Sequence, residues 1–374
     1  GNQLLFAGTQ HIYYVSENTL MALDQADGRT AWQTVLSDRL PYTCNACLLD
    51  FGEQLVVQTL DNKLHGLNTA TGEEIWQVTL DSSSGGQMRL GGWTAVLADN
   101  PDSGTGLEVY DPATGSLVQR IEPRCPHPTF DAQEPSFTDP VLIDANEQSA
   151  YFIFGFFDPL CVQKWDYAAN TQTWNTFIEE DLPPTNAAFV QDASQLYYNT
   201  SAHQIFAAAK SDGAITMLAE DAGYTLIPQA SRSNVLLVKA IRSVGSSREE
   251  LWGVDAVNGG VLWKFVPQAE EEMTLGSLDV VHDSDTGFWT AQPTLSGVHL
   301  LQARSDPPRL VVETLGLQDG ASSGQKEIPL TVSTSSSYWV SLLGWDGDVA
   351  WVETDLKQFL AVDAASGEVM VGVP

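Results

Sequence analysis

Six histidines, four cysteines and a handful of aspartate-rich turns are the side chains of this chain whose types could do chemistry. The histidines are His11, His65, His127, His203, His282 and His299, and no two stand at His-Glu-x-x-His or another metal-ligand spacing. There is no Gly-x-Ser-x-Gly nucleophile elbow and no glycine-rich phosphate loop ahead of a helix. Asp283-Ser284-Asp285-Thr286-Gly287 and Asp346-Gly347-Asp348 offer oxygen ligands. Both lack the closing Glu of a calcium loop, so they read as hairpin turns. Cys44 and Cys47 form a Cys-x-x-Cys pair, a spacing that serves redox chemistry, zinc or a local bridge. No second such pair exists, and no His follows the first as haem attachment needs. The expectation is a chain with no catalytic residue, no cofactor-binding residue and no metal ligand.

What must position these side chains is a repeat. Asp24, Gly28 and Trp32 stand four residues apart, and the beat returns as Asn68, Gly72, Trp76 and as Asp111, Gly115, Gln119. It continues as Asp166, Asn170, Trp174, as Ala209, Gly213, Met217, and as Asp255, Gly259, Trp263. Gln302, Asp306, Leu310 and Asp363, Gly367, Val371 complete it. Successive first positions are 44, 43, 55, 43, 46, 47 and 61 residues apart. Self-similarity at that period in strand-type residues predicts an all-β fold, an eight-bladed β-propeller with four-stranded antiparallel blades. Seven blades are the alternative. Each unit reads as a hairpin whose Asp or Asn bonds backbone amides two residues on. The Gly four residues later takes φ > 0 without strain, and Asn170 and Asp306 are the types that best replace it. A Trp at the third position is expected to bury its face against the neighbouring blade, a packing role.

The repeat covers nearly the whole chain, so residues 1–374 are expected to form a single propeller domain. Strands are read at 4–6, 11–16, 55–59, 151–154, 196–199, 235–239, 288–291 and 349–352. The first strand is expected innermost in blade 1, and 369–373 outermost in blade 8. No apolar run is long enough to cross a bilayer.

On such a fold the loop leading into an inner strand and the loop joining the second and third strands share one face. Cys44 and Cys47 then fall ahead of blade 2. Cys125 falls in the long loop ahead of blade 4, and Cys161 closes the second-to-third-strand loop of that blade. Cys125 and Cys161 are thereby expected to meet, with Cys44 and Cys47 the second pair. Free buried thiols or metal and redox work are the alternatives, and two bridges require an oxidising compartment. Three inserts, 123–139, 154–160 and 316–337, map to that same face. Phe156 and Phe157 sit at the tip of the second, either folded back on the blade edge or forming an apolar patch for a partner protein.

Lys and Arg number 17 against 48 Asp and Glu, a net charge of −31 spread along the chain. That surface repels nucleic acid and anionic lipid, which removes both as partners. It fits a secreted or halophilic setting, and leaves open a basic partner or divalent cations. The start at Gly1 is consistent with a removed signal or lipid-anchored leader, and equally with a chain cut at that point.

Leu64-His65-Gly66-Leu67-Asn68-Thr69-Ala70-Thr71-Gly72-Glu73-Glu74-Ile75-Trp76 resembles the PQQ-like propeller repeat. So do Leu251-Trp252-Gly253-Val254-Asp255-Ala256-Val257-Asn258-Gly259-Gly260-Val261-Leu262-Trp263 and Phe359-Leu360-Ala361-Val362-Asp363-Ala364-Ala365-Ser366-Gly367-Glu368. The match covers all eight units, weakly in those starting at Ala209 and Gln302. The resemblance implies one of two functions. Quinoprotein dehydrogenases of the family hold pyrroloquinoline quinone and calcium in the central channel. Lipoproteins of the BamB type are non-catalytic scaffolds. This chain is shorter than the dehydrogenases, lacks their adjacent-cysteine disulfide, and offers no assignable catalytic Asp or calcium-binding Glu and Asn. The expectation is a non-catalytic extracytoplasmic scaffold, periplasmic or at the cell surface, that binds a protein or stabilises an assembly. A quinone- and calcium-dependent oxidoreductase is the alternative.

Overall fold

A computed structural model describes residues 3–8, 10–25, 28–41, 47–80, 87–100, 104–121, 142–144, 149–154, 160–167, 169–178, 189–199, 203–243, 249–266, 274–275, 288–294, 297–305, 308–331, 340–354, 356 and 358–373. They form eight antiparallel sheets, each a meander of consecutive strands, and these are the blades of an eight-bladed β-propeller. The blades span residues 3–35, 48–79, 87–121, 142–178, 189–220, 224–265, 288–329 and 340–373. Eight sheets exclude the seven-bladed alternative. Every strand read from the sequence lies inside an observed one, from Gln3–Ala7 to Val349–Thr354. The outermost strand of blade 8 is Glu368–Val373, so first and last blades are each built from their own segment. Blade 7 gains a short fifth strand, Thr274–Leu275, parallel to its inner strand Phe288–Pro293. Among the described residues no helix is long and apolar enough to cross a membrane.

The chain divides into two compact units, Gly1–Glu180 and Asp181–Pro374, with four blades in each. Apolar side chains alternate along each middle strand and pack blade on blade. In the first unit Tyr13, Leu20 and Ala22 of blade 1 meet Leu55, Val57 and Leu67 of blade 2. In the second, Ile205, Ala207 and Leu218 of blade 5 meet Leu236, Val254 and Ala256 of blade 6.

The turn between third and outer strands carries the repeat. The Gly28, Gly72 and Gly115 amides donate to the carbonyls of Asp24, Asn68 and Asp111, each at 2.8 Å. The side chains of Asn68, Asp111 and Asp255 accept the amides of Ala70, Ala113 and Val257 at 2.7–2.9 Å. Asn170 takes the left-handed φ of +51° that its sequence position demands. Immediately after the turn, the outer strand bulges. Ala22 faces Trp32 while Leu23 faces Thr30, leaving Ala31 unpaired, and Gly66 faces Trp76 across an equivalent bulge at Ile75. The extra residue turns the third position of the beat toward the next blade.

Two units depart from the expected beat. Gln302 lies in the second strand of blade 7, Val298–Ser305, and Leu310 in the third, Pro308–Leu315, while Asp306 lies outside the described residues. The repeat turn of that blade is at Gly316–Gly320, where the Gly320 amide donates to the Gly316 carbonyl at 2.8 Å with φ +64°. Most of the supposed insert 316–337 is therefore that turn and the outer strand Ser322–Pro329. A glycine at the first position lacks the side chain that marks the other turns, so spacing alone points to the wrong triplet. In blade 5 the bulge slips to Leu218, and Met217 pairs with Phe206. A slip along a strand reverses which face a side chain points to. Met217 is turned out, 49% exposed, and Leu218, 7% exposed, takes the buried place.

Candidate functional site

The residues of the beat form latches between blades. The Trp32 indole N–H donates to the Thr69 carbonyl of the next blade's turn at 2.7 Å. Trp76 reaches Pro112 and Trp263 reaches Leu317, both at 2.9 Å. Each acceptor is the residue following the first position of the beat. The ring then lies on the turn glycine. A Cβ on Gly115 would stand 2.6 Å from Trp76, and one on Gly320 2.7 Å from Trp263. The glycine thus serves a positive φ and a close approach together. Where Trp is absent, Gln119 Nε2 donates to the Tyr167 carbonyl at 2.6 Å, and Lys326 donates to the Ser366 carbonyl over Gly367. Trp174 packs on Tyr151 within blade 4, ring centroids 6.0 Å apart.

Several of the described side chains able to do acid–base work are also engaged in holding the fold. His65 is buried, with Nδ1 2.6 Å from Glu74 and Nε2 3.1 Å from Ser37. His299 is buried between Thr314, Thr294 and Asp348 of the next blade, the last at 3.1 Å. Asp346–Asp348, read as a hairpin turn, joins the strands Val340–Asp346 and Val349–Thr354. Asp192 accepts the Tyr197 hydroxyl at 2.5 Å and the Ser231 hydroxyl at 3.2 Å. Burial raises the Asp192 carboxyl, but hydrogen bonds from Tyr197, Ser194 and Gln195 outweigh it and hold it below the usual carboxylate range. The same burial and the facing carboxylate push the Tyr197 phenol up. In blade 6, Glu250 accepts from Tyr224 and Trp252 at 3.0 and 2.9 Å, and the Lys264 ammonium sits 3.5 Å over the Trp252 ring. Amides of Asn258 and Val257 hold the Asp255 carboxyl low, and the Ser366 amide does the same for Asp363.

Several expected site residues fall elsewhere. Cys44, Cys125, Phe156, Phe157, His127, His282, Asp283 and Asp285 lie outside the described residues. Cys47 and Cys161 are buried in the cores of blades 1–2 and 3–4, and neither is free. Among the described residues no three His, Cys, Asp or Glu side chains converge as a metal ion requires. The beat does not announce the seam roles of Gln119, Lys326 and Leu218. Only Gln119 stands at a third position, where the departure from Trp is the signal.

A sequence profile described as outer membrane protein assembly factor BamB matches residues 5–217. No curated protein sequence matches the chain. Among solved structures, BamB from Moraxella catarrhalis is similar at 15% identity and TM-score 0.50, over 98% of this chain and 92% of that one. The dihydro-heme d1 dehydrogenase NirN aligns at 14% identity and TM-score 0.58, over 96% of this chain and 71% of its own. Quinohemoprotein alcohol dehydrogenase from Comamonas testosteroni aligns at 12% identity and TM-score 0.52, over 91% and 70%. At these identities the structural likenesses speak for the fold alone.

Proposed function

Because the chain belongs to the family of the outer membrane protein assembly factor BamB, we propose that it is a non-catalytic extracytoplasmic propeller that binds a protein or stabilises an assembly. The observation that carries this reading is how the chemically capable side chains are employed. His65, His299, Asp192, Glu250 and Lys264 are each engaged in hydrogen bonds or ring contacts that hold turns and seams. A protein partner is favoured over nucleic acid or an anionic membrane by the net charge of −31. Bridges at Cys125–Cys161 and Cys44–Cys47 belong to the same proposal, since they need an oxidising compartment.

The catalytic alternative needs a calcium site beside a quinone. Two experiments separate the readings. Affinity isolation from the native host, with wild type and a Phe156→Ser/Phe157→Ser variant, tests the insert-bearing face. Loss of a stoichiometric partner in the variant is expected, and an identical partner set removes that face as the interface. Titration with pyrroloquinoline quinone and calcium should leave the absorption spectrum a simple sum and give no dye-linked alcohol oxidation. Stoichiometric quinone binding with turnover overturns the scaffold reading.

A further inference from the structure

Between blades 1 and 2 the fold assembles a serine, a histidine and a carboxylate in the order that activates a nucleophile. Ser37 lies in the link that follows the outer strand of blade 1, Thr30–Val35. His65 and Glu74 lie in the third and outer strands of blade 2, Lys63–Asn68 and Glu74–Thr79. Glu74 Oε2 stands 2.6 Å from His65 Nδ1, and Ser37 Oγ stands 3.1 Å from Nε2. A carboxylate on Nδ1 holds the proton there and leaves the Nε2 lone pair to accept from a hydroxyl. Among the described histidines this order is particular to His65. His299 carries the Asp348 carboxylate and the Thr294 hydroxyl on the same nitrogen, and His203 Nδ1 meets the Tyr224 carbonyl.

Ser37 is exposed, whereas His65 is buried. Backbone bonds fix the link on both sides of the serine. The Leu36 amide donates to the Asn18 carbonyl at 2.8 Å, and the Leu60 amide donates to the Arg39 carbonyl at 2.9 Å. Between these anchors the Ser37 and Asp38 amides meet no acceptor among the described residues, which leaves donors beside the nucleophile for a developing oxyanion. Two neighbours compete for the protons. Thr59 Oγ1 lies 3.2 Å from Nε2, but it donates to Asp61 Oδ1 at 2.6 Å. Asp61 also accepts from Ser37, but its carboxyl, at about 2, is too weak a base to take the hydroxyl proton. The imidazole is the base that remains.

We propose that Ser37 is a nucleophilic serine and a modification site, acylated by activated esters whose leaving group departs as an anion. Ser37 Oγ bonds to the carbonyl carbon, the hydroxyl proton passes to His65 Nε2, and the bond from that carbon to the leaving oxygen breaks. Glu74 is a positioning residue that orients the imidazole and stabilises the imidazolium. The acyl group stays on Ser37. Its hydrolysis needs a water at Nε2, and the Thr59 and Ser37 oxygens already cover that nitrogen of a buried ring. The site is therefore modified once rather than turned over, which goes beyond the scaffold reading without opposing it.

The test treats the full chain with p-nitrophenyl acetate, follows release of the nitrophenolate, and locates the acetyl group by peptide mapping. A burst of one equivalent per chain is expected, with the acetyl group on Ser37. Ser116, an exposed serine whose hydroxyl meets that of Thr114, is the internal control and should stay unmodified. Ser37→Ala should abolish the burst and leave the far-ultraviolet spectrum unchanged, since the side chain is exposed. His65→Gln should slow acylation roughly a hundredfold. Because His65 is buried, Glu74→Gln, at a side chain 43% exposed, is the second variant. It should slow acylation and move the pH midpoint of the rate downward, since a neutral partner stabilises the imidazolium less. An unmoved midpoint overturns the relay. Equal acetylation of Ser37 and Ser116, or a burst that survives Ser37→Ala, overturns the proposal. Ser37-dependent release beyond one equivalent overturns the retained acyl group and the non-catalytic reading with it. An unmodified Ser37 overturns this site only.

Discussion

Replacing Gly72 by Ala, in the presence and absence of Trp32, tests the latch as a unit. Gly72 has φ +71°, so any side chain costs about 1–2 kcal/mol in backbone strain. Its new Cβ would also run into the Trp32 ring and stand 2.8 Å from Thr34 Oγ1. Overpacking of that kind adds about 1–3 kcal/mol, giving a total of about 2–5 kcal/mol. Trp32→Ala alone removes a buried ring and the bond to Thr69, at about 3–5 kcal/mol. In the double variant the ring is gone and most of the overpacking with it. The two costs should therefore fail to add by about 1–3 kcal/mol. Gly52 is the control, with φ +90° and nothing within 4 Å of an added methyl, so Gly52→Ala should cost its strain alone in either background. Two compact units make a single unfolding midpoint ill-defined, so the readout is native-state hydrogen exchange of the strands Thr30–Val35 and Lys63–Asn68. If Gly72→Ala costs the same with and without Trp32, the ring is not what the glycine accommodates, and the latch reasoning fails.

Acid sensitivity is expected at Asp61. Burial raises its carboxyl, but hydrogen bonds from Lys63, Thr59 and Ser37 outweigh this and lower it to about 2. A depressed carboxyl stabilises the fold above its ordinary range and loses that contribution as pH falls from about 4 through about 2. Screening at this partly exposed site leaves on the order of 1 kcal/mol. Urea denaturation at stepped pH should show Asp61→Asn flattening the acid limb, and an unchanged slope refutes it. The proposed bridge between Cys125 and Cys161 would close a loop of 37 residues, for which chain entropy estimates about 3–4 kcal/mol. Peptide mapping without reductant, on protein from its native compartment, should recover that pair. Free thiols at both positions remove the bridge and weaken the extracytoplasmic assignment.

The hairpin turns were legible in the sequence because their causes are local. An Asp or Asn reaches amides two residues away, and a Gly four residues on needs only its own φ, so Asn68–Gly72 and Asp255–Gly259 could be read without knowing any neighbour. The period of those turns predicted the blades and their number, and the Trp at the third position predicted packing against the next blade. Two things lay beyond it. The blade 7 turn at Gly316 carries no side-chain mark, so strand pairing, which joins residues far apart in the chain, had to locate it. The bulge at Leu218 is likewise a matter of pairing with the third strand of blade 5, and it alone decides that Met217 faces outward while Leu218 packs against blade 6. A beat of local residues determines where a chain turns. Register between strands determines which side chain meets which neighbour, and so which residue closes each seam.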